Sequence, residues 1–321
     1  MPASAVLPKT RRLSDSKTAT NPSYLERLTP GELRQRSEQF HELLKECKLC
    51  PRECGARRTG GKIGVCRLAN EMAISSAAPH FGEEQPLVGR HGSGTIFFTS
   101  CNLKCQFCQN YGISQLKMGE TISTSRLAEV MLSLQRVGCH NINLVTPTHV
   151  TPHIIEALVI AIQRGLKIPI VYNCGGYESV HVLKLLENIV DIYMPDIKYS
   201  QDAFAREYSG VKDYWEVVQA AVKEMYTQTG DLIVDDEGIA RRGLLIRHLV
   251  LPNHISGSKA VLEFIAREIS PDSYVNIMAQ YRPAFRSYRY PELNRGITPR
   301  EYDEAIQHAV RLGLHRGFAE N

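Results

Sequence analysis

Nine cysteines make thiol chemistry the first question that this sequence raises. Three of them, Cys101, Cys105 and Cys108, are spaced C-x3-C-x2-C and directly follow a short apolar run at residues 95–99. Residues 1–23 lack the apolar core that predicts a secretory signal, and thiols this close together in a reducing compartment indicate metal ligation rather than a disulfide framework. A structural zinc ion normally takes four ligands, whereas three thiolates on a 4Fe–4S cluster leave one iron free for another molecule.

A second group of cysteines lies upstream and consists of Cys47, Cys50, Cys54 and Cys66. Its spacing is C-x2-C-x3-C-x11-C, and glycines at positions 55, 60, 61 and 64 let the chain fold tightly around a metal. Four thiolates suit one zinc ion or one iron–sulfur cluster, and the spacing matches neither standard zinc pattern closely. The sequence therefore predicts a second metal site of either kind, with four unligated thiols in a loop as the alternative.

Length and composition limit the class of protein. The 321 residues are 43% hydrophobic and 22% charged, which predicts one large α/β domain with a small appendage. A net charge of +4 is too small to indicate nucleic acid by itself, and the chain has no 18-residue apolar run that predicts a membrane span. Residues 1–23 predict a disordered tail, with an organelle-targeting signal as the alternative. Reduced thiols predict a cytoplasmic protein.

The elements that must position the thiols alternate between strand and helix. Strands are predicted at residues 95–99, 142–145, 168–172, 190–194, 244–251 and 274–279. Helices are predicted at residues 125–137, 151–164, 179–187, 202–226 with a break near Gly210, 258–269 and 299–312. Six βα units predict an α/β fold, a partial (β/α)6 barrel whose site lies at the C-terminal strand ends.

An earlier helix is predicted to begin after Thr29, which forms a capping box with Glu32. We therefore divide the chain into the tail at residues 1–23, a helix and Cys-rich segment at residues 24–90, and the partial barrel at residues 91–315.

Residues suited to holding a cofactor recur where the predicted strands end. Those that we single out are Phe107 beside the third cysteine, Asn173, Gly175, Asp196, Lys198, Arg247, Met278 and Gln280. Polar groups repeated at one edge of a parallel sheet are costly in a core and indicate a site. His149 follows the second strand and is the catalytic candidate, with a capping bond at a helix start as the alternative.

The C-x3-C-x2-C motif at the end of a first strand, with Phe107 before the third cysteine, resembles the radical S-adenosylmethionine (radical SAM) enzymes. The resemblance implies that the free iron of a 4Fe–4S cluster chelates SAM, and that reductive cleavage yields a 5′-deoxyadenosyl radical. The alternative for the motif is a zinc knuckle that takes His91 or His140 as its fourth ligand.

Further matches resemble the pyruvate formate-lyase activating enzyme group, in which the residues that match Asp196, Lys198 and Arg247 contact SAM. The segments at residues 47–52, 145–149 and 276–281 are similar to PflX-type iron–sulfur proteins, and the resemblance covers about residues 45–312. Two features depart from the pattern. A Thr-Pro-Thr-His turn replaces the Gly-Gly-Glu turn after the second strand, and the extra cysteines precede the cluster motif.

The resemblance implies an oxidoreductase with a 4Fe–4S cluster and SAM as cofactors and a flavodoxin or ferredoxin as electron donor. Its implied substrate is a glycyl-radical-type protein, and no membrane partner is expected. The alternatives are modification of RNA, of a small molecule or of another protein side chain. A non-catalytic zinc-binding interaction protein is the alternative from a different class.

Overall fold

Strands and helices alternate along most of the chain, as the sequence predicts. The computed structural model describes residues 21–318, so residues 1–20 of the predicted tail lie outside the described residues. Within this range the nine strands are β1 Ala73–His80, β2 Ser93–Phe98, β3 Glu120–Thr121, β4 Ile142–Val145, β5 Ile170–Cys174, β6 Ile192–Pro195, β7 Ile233–Val234, β8 Ala240–Leu249 and β9 Tyr274–Met278. The helices are α1 Ser23–Glu26, α2 Pro30–Glu42, α3 Gln85–Val88, α4 Tyr111–Ser114, α5 Thr124–Arg136, α6 Thr151–Gln163, α7 Val180–Leu185, α8 Asp202–Ser209, α9 Tyr214–Thr229, α10 Ser258–Phe264 and α11 Pro299–Arg311.

Six parallel strands form the centre of the sheet, in the order β2-β4-β5-β6-β8-β9. β1 pairs antiparallel with β2 and with β3, and β7 pairs antiparallel with β8. Within residues 21–318 the strands at the two edges do not pair with each other, so the sheet stays open. The predicted partial (β/α)6 barrel is therefore confirmed.

Helix starts follow the capping chemistry of the sequence. Thr29 accepts a hydrogen bond from the N–H of Glu32, whose carboxylate accepts from the N–H of Thr29, and α2 begins as predicted. Thr298 and Glu301 repeat this capping box at the start of α11. Gly210, with φ +66°, ends α8 at the predicted break.

Two strands start later than predicted. β5 begins at Ile170 because Pro169 has no N–H to donate to the sheet. β6 begins at Ile192; the preceding Asp191 still contacts β5, because its N–H donates to the carbonyl of Ile170 at 3.0 Å and its carboxylate accepts from the N–H of Ile170 at 2.9 Å.

The sequence analysis missed β1, whose side chains are mostly half-buried or exposed and which contains Pro79. β1 lies in the predicted segment 24–90, yet it is part of the same sheet as the barrel strands. No helix within residues 21–318 has the length and apolar character needed to cross a bilayer.

Candidate functional site

The three clustered cysteines lie in the loop that follows β2, whose residues 100–110 we call the cluster loop. β2 ends at Phe98, and Ser100 then adopts a left-handed backbone with φ +71°, which turns the chain into Cys101. Each sulfur has a polar contact nearby. The contacts are the N–H of Leu103 to Cys101 at 3.3 Å, the hydroxyl of Ser209 to Cys105 at 3.0 Å, and the hydroxyl of Ser114 to Cys108 at 3.1 Å. Donors to sulfur favour the thiolate, which is the form that binds a metal.

A cavity of about 260 Å³ opens beside these thiols at the C-terminal edge of the sheet. All six parallel strands contribute to it through their last residues or the loops that follow. Its lining includes Cys101, Cys105, Phe107, Cys108, Asn173, Gly175, Asp196, Lys198, Arg247, Met278 and Gln280. The structure thus brings together all the residues that the sequence analysis assigned to the cluster or to SAM. A larger cavity of about 590 Å³ lies between α10 and α11, but it contains no thiol and none of these residues.

The thiols suit a cluster better than a single ion. In the described part of the chain, no three His, Cys, Asp or Glu side chains stand together as ligands of one metal ion. A 4Fe–4S cluster does not require this, because each thiolate binds a different iron. Burial raises the pKa values of Cys101 and Cys105, so both thiols are protonated until iron replaces the protons.

A charged network occupies the wall of the cavity at the ends of β6 and β8. The carboxylate of Asp196 accepts one hydrogen bond from Lys198 Nζ and one from Arg247 Nε, each at 2.7 Å. Burial alone would raise the pKa of Asp196, but the two cations outweigh it and lower this pKa to about 2. Asp196 is therefore ionised throughout the physiological range.

The guanidinium of Arg247 donates its hydrogen bonds to other residues of the protein. Its second terminal nitrogen donates to Asn173 Oδ1 at 2.8 Å, and its first lies 3.6 Å from Glu83 Oε2 and 4.0 Å from Glu84 Oε1. The guanidinium thus orients Asp196 and Asn173, while its expected contact with SAM stays a prediction.

Glu83 and Glu84 are site residues that the sequence analysis missed. Both side chains are less than a tenth exposed, and Glu84 accepts a hydrogen bond from Asn276 Nδ2 at 2.9 Å. Burial raises the pKa of Glu83 despite the nearby Arg247. Their position depends on β1, and without that strand the sequence carries no signal that places them near β8 and β9.

His149 does not line the cavity. Its ring is buried, and Nε2 lies 2.7 Å from the carbonyl oxygen of Thr99, just before the cluster loop. Burial lowers the pKa of His149 to about 4, so the ring is neutral at physiological pH and donates this bond from Nε2. Its catalytic role stays a prediction that this position does not favour.

His91 and His140 lie at the wrong edge of the sheet for the zinc alternative. They precede β2 and β4, whereas Cys101 follows β2, and a six-residue strand spans about 20 Å. Their rings lie near each other, with centroids 5.5 Å apart. A zinc knuckle completed by either histidine is therefore wrong.

The four upstream cysteines also come together. A Cβ added to Gly64 would lie 3.4 Å from Cys54 Sγ and 3.5 Å from Cys66 Sγ, so both sulfurs flank this glycine. Cys47 and Cys54 influence each other's pKa, and the nearby thiols of Cys47 and Cys66 help to raise the pKa of Cys50, so the four thiols lie near one another. All nine cysteines fall within the described residues, and all are free thiols.

This chain is similar to known proteins in sequence and in structure. The sequence profile of the Radical SAM superfamily matches residues 95–238. The uncharacterized protein MJ0674 of Methanocaldococcus jannaschii is 31% identical over 297 residues, which cover 90% of this chain and 82% of that protein.

Two solved structures illustrate the structural similarity. SuiB of Streptococcus suis bound to the precursor peptide SuiA is 13% identical with a TM-score of 0.47, over 68% of this chain and 46% of that one. anSMEcpe with bound AdoMet is 10% identical with a TM-score of 0.45, over 66% of this chain and 57% of that one. This chain thus spans less than two thirds of the length of either structure.

Radical SAM enzymes use a 4Fe–4S cluster and SAM. The donor set around the cavity fits both, because three thiols with polar contacts stand beside an ionised carboxylate and its two cationic partners. From the profile match and the relative that is 31% identical over most of both chains, we conclude that this chain belongs to the radical SAM superfamily.

Proposed function

We propose that this protein is a PflX-type enzyme that resembles the pyruvate formate-lyase activating group and acts on a glycine of a protein partner. Cys101, Cys105 and Cys108 would hold the cluster. The observation that carries the proposal is the cavity whose lining joins these thiols to Asp196 and Lys198. With cluster and SAM bound, the chemistry supplied is hydrogen-atom abstraction by a radical derived from SAM.

The residues of the cavity have separate roles in this proposal. Asp196, ionised and half-buried, offers carboxylate acceptors to the amino group or ribose hydroxyls of SAM. Lys198 donates one of its three N–H bonds to Asp196 and keeps two for the ligand. Phe107 is buried, and its ring packs edge-on against Tyr199 and Tyr281. We infer that it shields the third cysteine from water.

The rim of the cavity supports a macromolecular substrate. The segment after β9 exposes cationic and aromatic side chains, namely Arg282, Arg286, Tyr288 and Arg289. Its Phe285 ring stacks on Tyr111 at 5.5 Å, and the N–H of Arg286 donates to Gln106 O at 2.8 Å, inside the cluster loop. A partner bound here would lie directly over the cluster loop.

Reductive cleavage of SAM also needs one electron from outside the chain. We propose a flavodoxin- or ferredoxin-type donor, and a location in the reducing cytoplasm, where the thiols persist.

The first test is SAM cleavage by anaerobically reconstituted protein with a strong reductant. We expect 5′-deoxyadenosine from the wild type and none from Cys105→Ala, which should also lose the visible absorbance of the cluster. Cys139→Ala is the matched control, because Cys139 is buried and lies outside the cavity. A wild type that holds its full cluster and yields no 5′-deoxyadenosine would contradict the proposal.

The second test addresses the target. Electron paramagnetic resonance should detect a carbon-centred radical on a glycyl-radical partner from the same organism after incubation with this protein, SAM and reductant. If 5′-deoxyadenosine forms while no partner acquires a radical, the target is RNA, a small molecule or another protein side chain.

A further inference from the structure

We propose that Cys47, Cys50, Cys54 and Cys66 bind a second iron–sulfur cluster, in which each thiolate would bind a different iron, and that this centre fixes three arginines that hold the cluster loop in place. We call residues 47–67 the Cys-rich segment, and its side chains contact the cluster loop from outside the cavity. The proposal concerns a site that the radical chemistry does not use, so it stands apart from the proposed function.

A buried cation without a partner is the first reason to expect an anionic centre here. Arg58 is fully buried, and within residues 21–318 no carboxylate lies within ion-pair distance of it. One terminal nitrogen lies 3.9 Å from Cys47 Sγ, and the other has no hydrogen-bond partner. A buried charge without a compensating partner is strongly unfavourable, because burial removes its solvation and nothing replaces it. Four thiolates on an iron–sulfur cluster leave a net negative charge that would compensate Arg58.

Arg52 connects the Cys-rich segment to the first and second cluster cysteines. It lies between Cys50 and Cys54, and its guanidinium donates to the carbonyl of Asn102, the residue after Cys101. It also donates to the carbonyls of Gly210 at 2.8 Å and Ser209 at 3.2 Å. The hydroxyl of that same Ser209 donates to Cys105 Sγ.

Arg67 makes the equivalent connection to the third cysteine. It follows Cys66 directly, and its guanidinium donates to the carbonyls of Ser114, at 2.6 Å, and Gln115. The hydroxyl of Ser114 contacts Cys108 Sγ.

Arg58 completes the set of contacts. It donates to the carbonyl of His149 at 2.9 Å, and the His149 ring in turn holds the carbonyl of Thr99, two residues before Cys101. Arg52, Arg58 and Arg67 thus reach the surroundings of all three cluster cysteines. Each arginine lies within four residues of a cysteine of the upstream group, so a metal bound there would fix the positions of all three.

Metal analysis of a variant that lacks the three thiols of the cluster loop tests the upstream centre by itself. We expect Cys101→Ala/Cys105→Ala/Cys108→Ala, purified anaerobically, to keep iron with an equal amount of sulfide. Adding Cys50→Ser and Cys66→Ser should remove this metal. A triple variant that binds no iron and sulfide, or that binds zinc alone, would overturn the proposal.

Alkylation of the wild type gives a second readout that needs no variant. Cys50 and Cys54 are partly exposed and should react with iodoacetamide only after a chelator removes the metal. Equal reaction rates before and after chelation, read by peptide mass spectrometry, would overturn the proposal even if the variants fail to fold.

The coupling between the two sites has its own test. We expect Cys50→Ser/Cys66→Ser to lose iron from the cluster at Cys101, Cys105 and Cys108 to a chelator about 10-fold faster than Cys139→Ser does. An effect of about this size is typical when the supporting contacts of a metal site are removed. Equal rates would show that the upstream centre does not hold the cluster loop.

Discussion

At the residue scale, the acid Glu178 is buried beside the cavity without a cationic partner in the described part of the chain. Its carboxyl group accepts hydrogen bonds from Thr148 Oγ1 at 2.6 Å and from the Tyr172 hydroxyl at 3.3 Å. Burial raises the pKa of Glu178 to about 8, and these bonds only partly oppose the rise. The group is therefore largely protonated at neutral pH in the folded protein.

This pKa predicts a specific pH dependence of stability. Between about pH 4.5 and pH 8 the folded state keeps a proton that the unfolded chain has released, so stability falls as pH rises, by up to about 1.4 kcal/mol per pH unit. Glu178→Gln is neutral at every pH and escapes this loss. We expect its stability relative to the wild type to rise from pH 5.5 to pH 8, measured from urea unfolding under anaerobic conditions.

The control for this prediction is Glu216→Gln, an exposed acid on α9. The difference in the free energy of unfolding between Glu216→Gln and the wild type should be small at both pH 5.5 and pH 8. If the difference in the free energy of unfolding between Glu178→Gln and the wild type also stayed the same at both pH values, Glu178 would titrate as an ordinary surface acid.

At the element scale, the turn after β5 sets the position of the residue that follows β6. Gly176 in this turn has φ +75°, and a Cβ there would lie 2.6 Å from the carbonyl oxygen of Asp196 and 2.8 Å from Val218 Cγ2. The backbone of one strand end therefore packs directly against that of the next. A glycine is required both for the dihedral angle and for the space.

Gly176→Ala should weaken SAM binding. The left-handed backbone costs an alanine about 1–2 kcal/mol, and the clash displaces Asp196 from Lys198 and Arg247. We expect the Kd for SAM to rise about 10-fold, equivalent to about 1.4 kcal/mol, in anaerobic equilibrium dialysis.

Gly165→Ala separates the two causes. Gly165 also has a left-handed backbone, with φ +94°, but nothing lies within 4 Å of its added Cβ. This variant should lose comparable stability through backbone strain and keep its SAM affinity. A similar Kd change in both variants would refute the role assigned to the turn.

The elements that the sequence predicts are those with strong apolar periodicity. The sequence predicted all six parallel strands and the helices that follow them. It also placed Asp196, Lys198 and Arg247 at one edge of the sheet, because the strands that they follow or end run in the same direction. β1 was missed because its exposed side chains carry no such pattern. Glu83 and Arg58 were missed as well, because their positions depend on contacts between distant parts of the chain, which local spacing does not encode.

At the scale of the whole molecule, the Cys-rich segment and the barrel form one structure through side chains that donate to backbone carbonyls. Arg52 makes three such contacts, one to Asn102, which is 50 residues away in sequence, and two to Ser209 and Gly210, which are more than 150 residues away. A guanidinium suits this position because it offers five donors in a fixed plane. The cluster loop is thus supported from outside by a part of the chain that does not line the cavity.

Arg52→Ala should therefore destabilise the cluster more than the fold. Hydrogen bonds to a charged group contribute about 1.5–3 kcal/mol, and their loss frees the carbonyl of Asn102, beside Cys101, and that of Ser209, whose hydroxyl donates to Cys105. We expect iron release to a chelator, followed by visible absorbance, to be about 10-fold faster than in the wild type. Arg57→Ala is the matched control, since Arg57 is exposed in the same segment. Equal release rates in the two variants would show that the loop of Cys101, Cys105 and Cys108 keeps its shape without the Cys-rich segment.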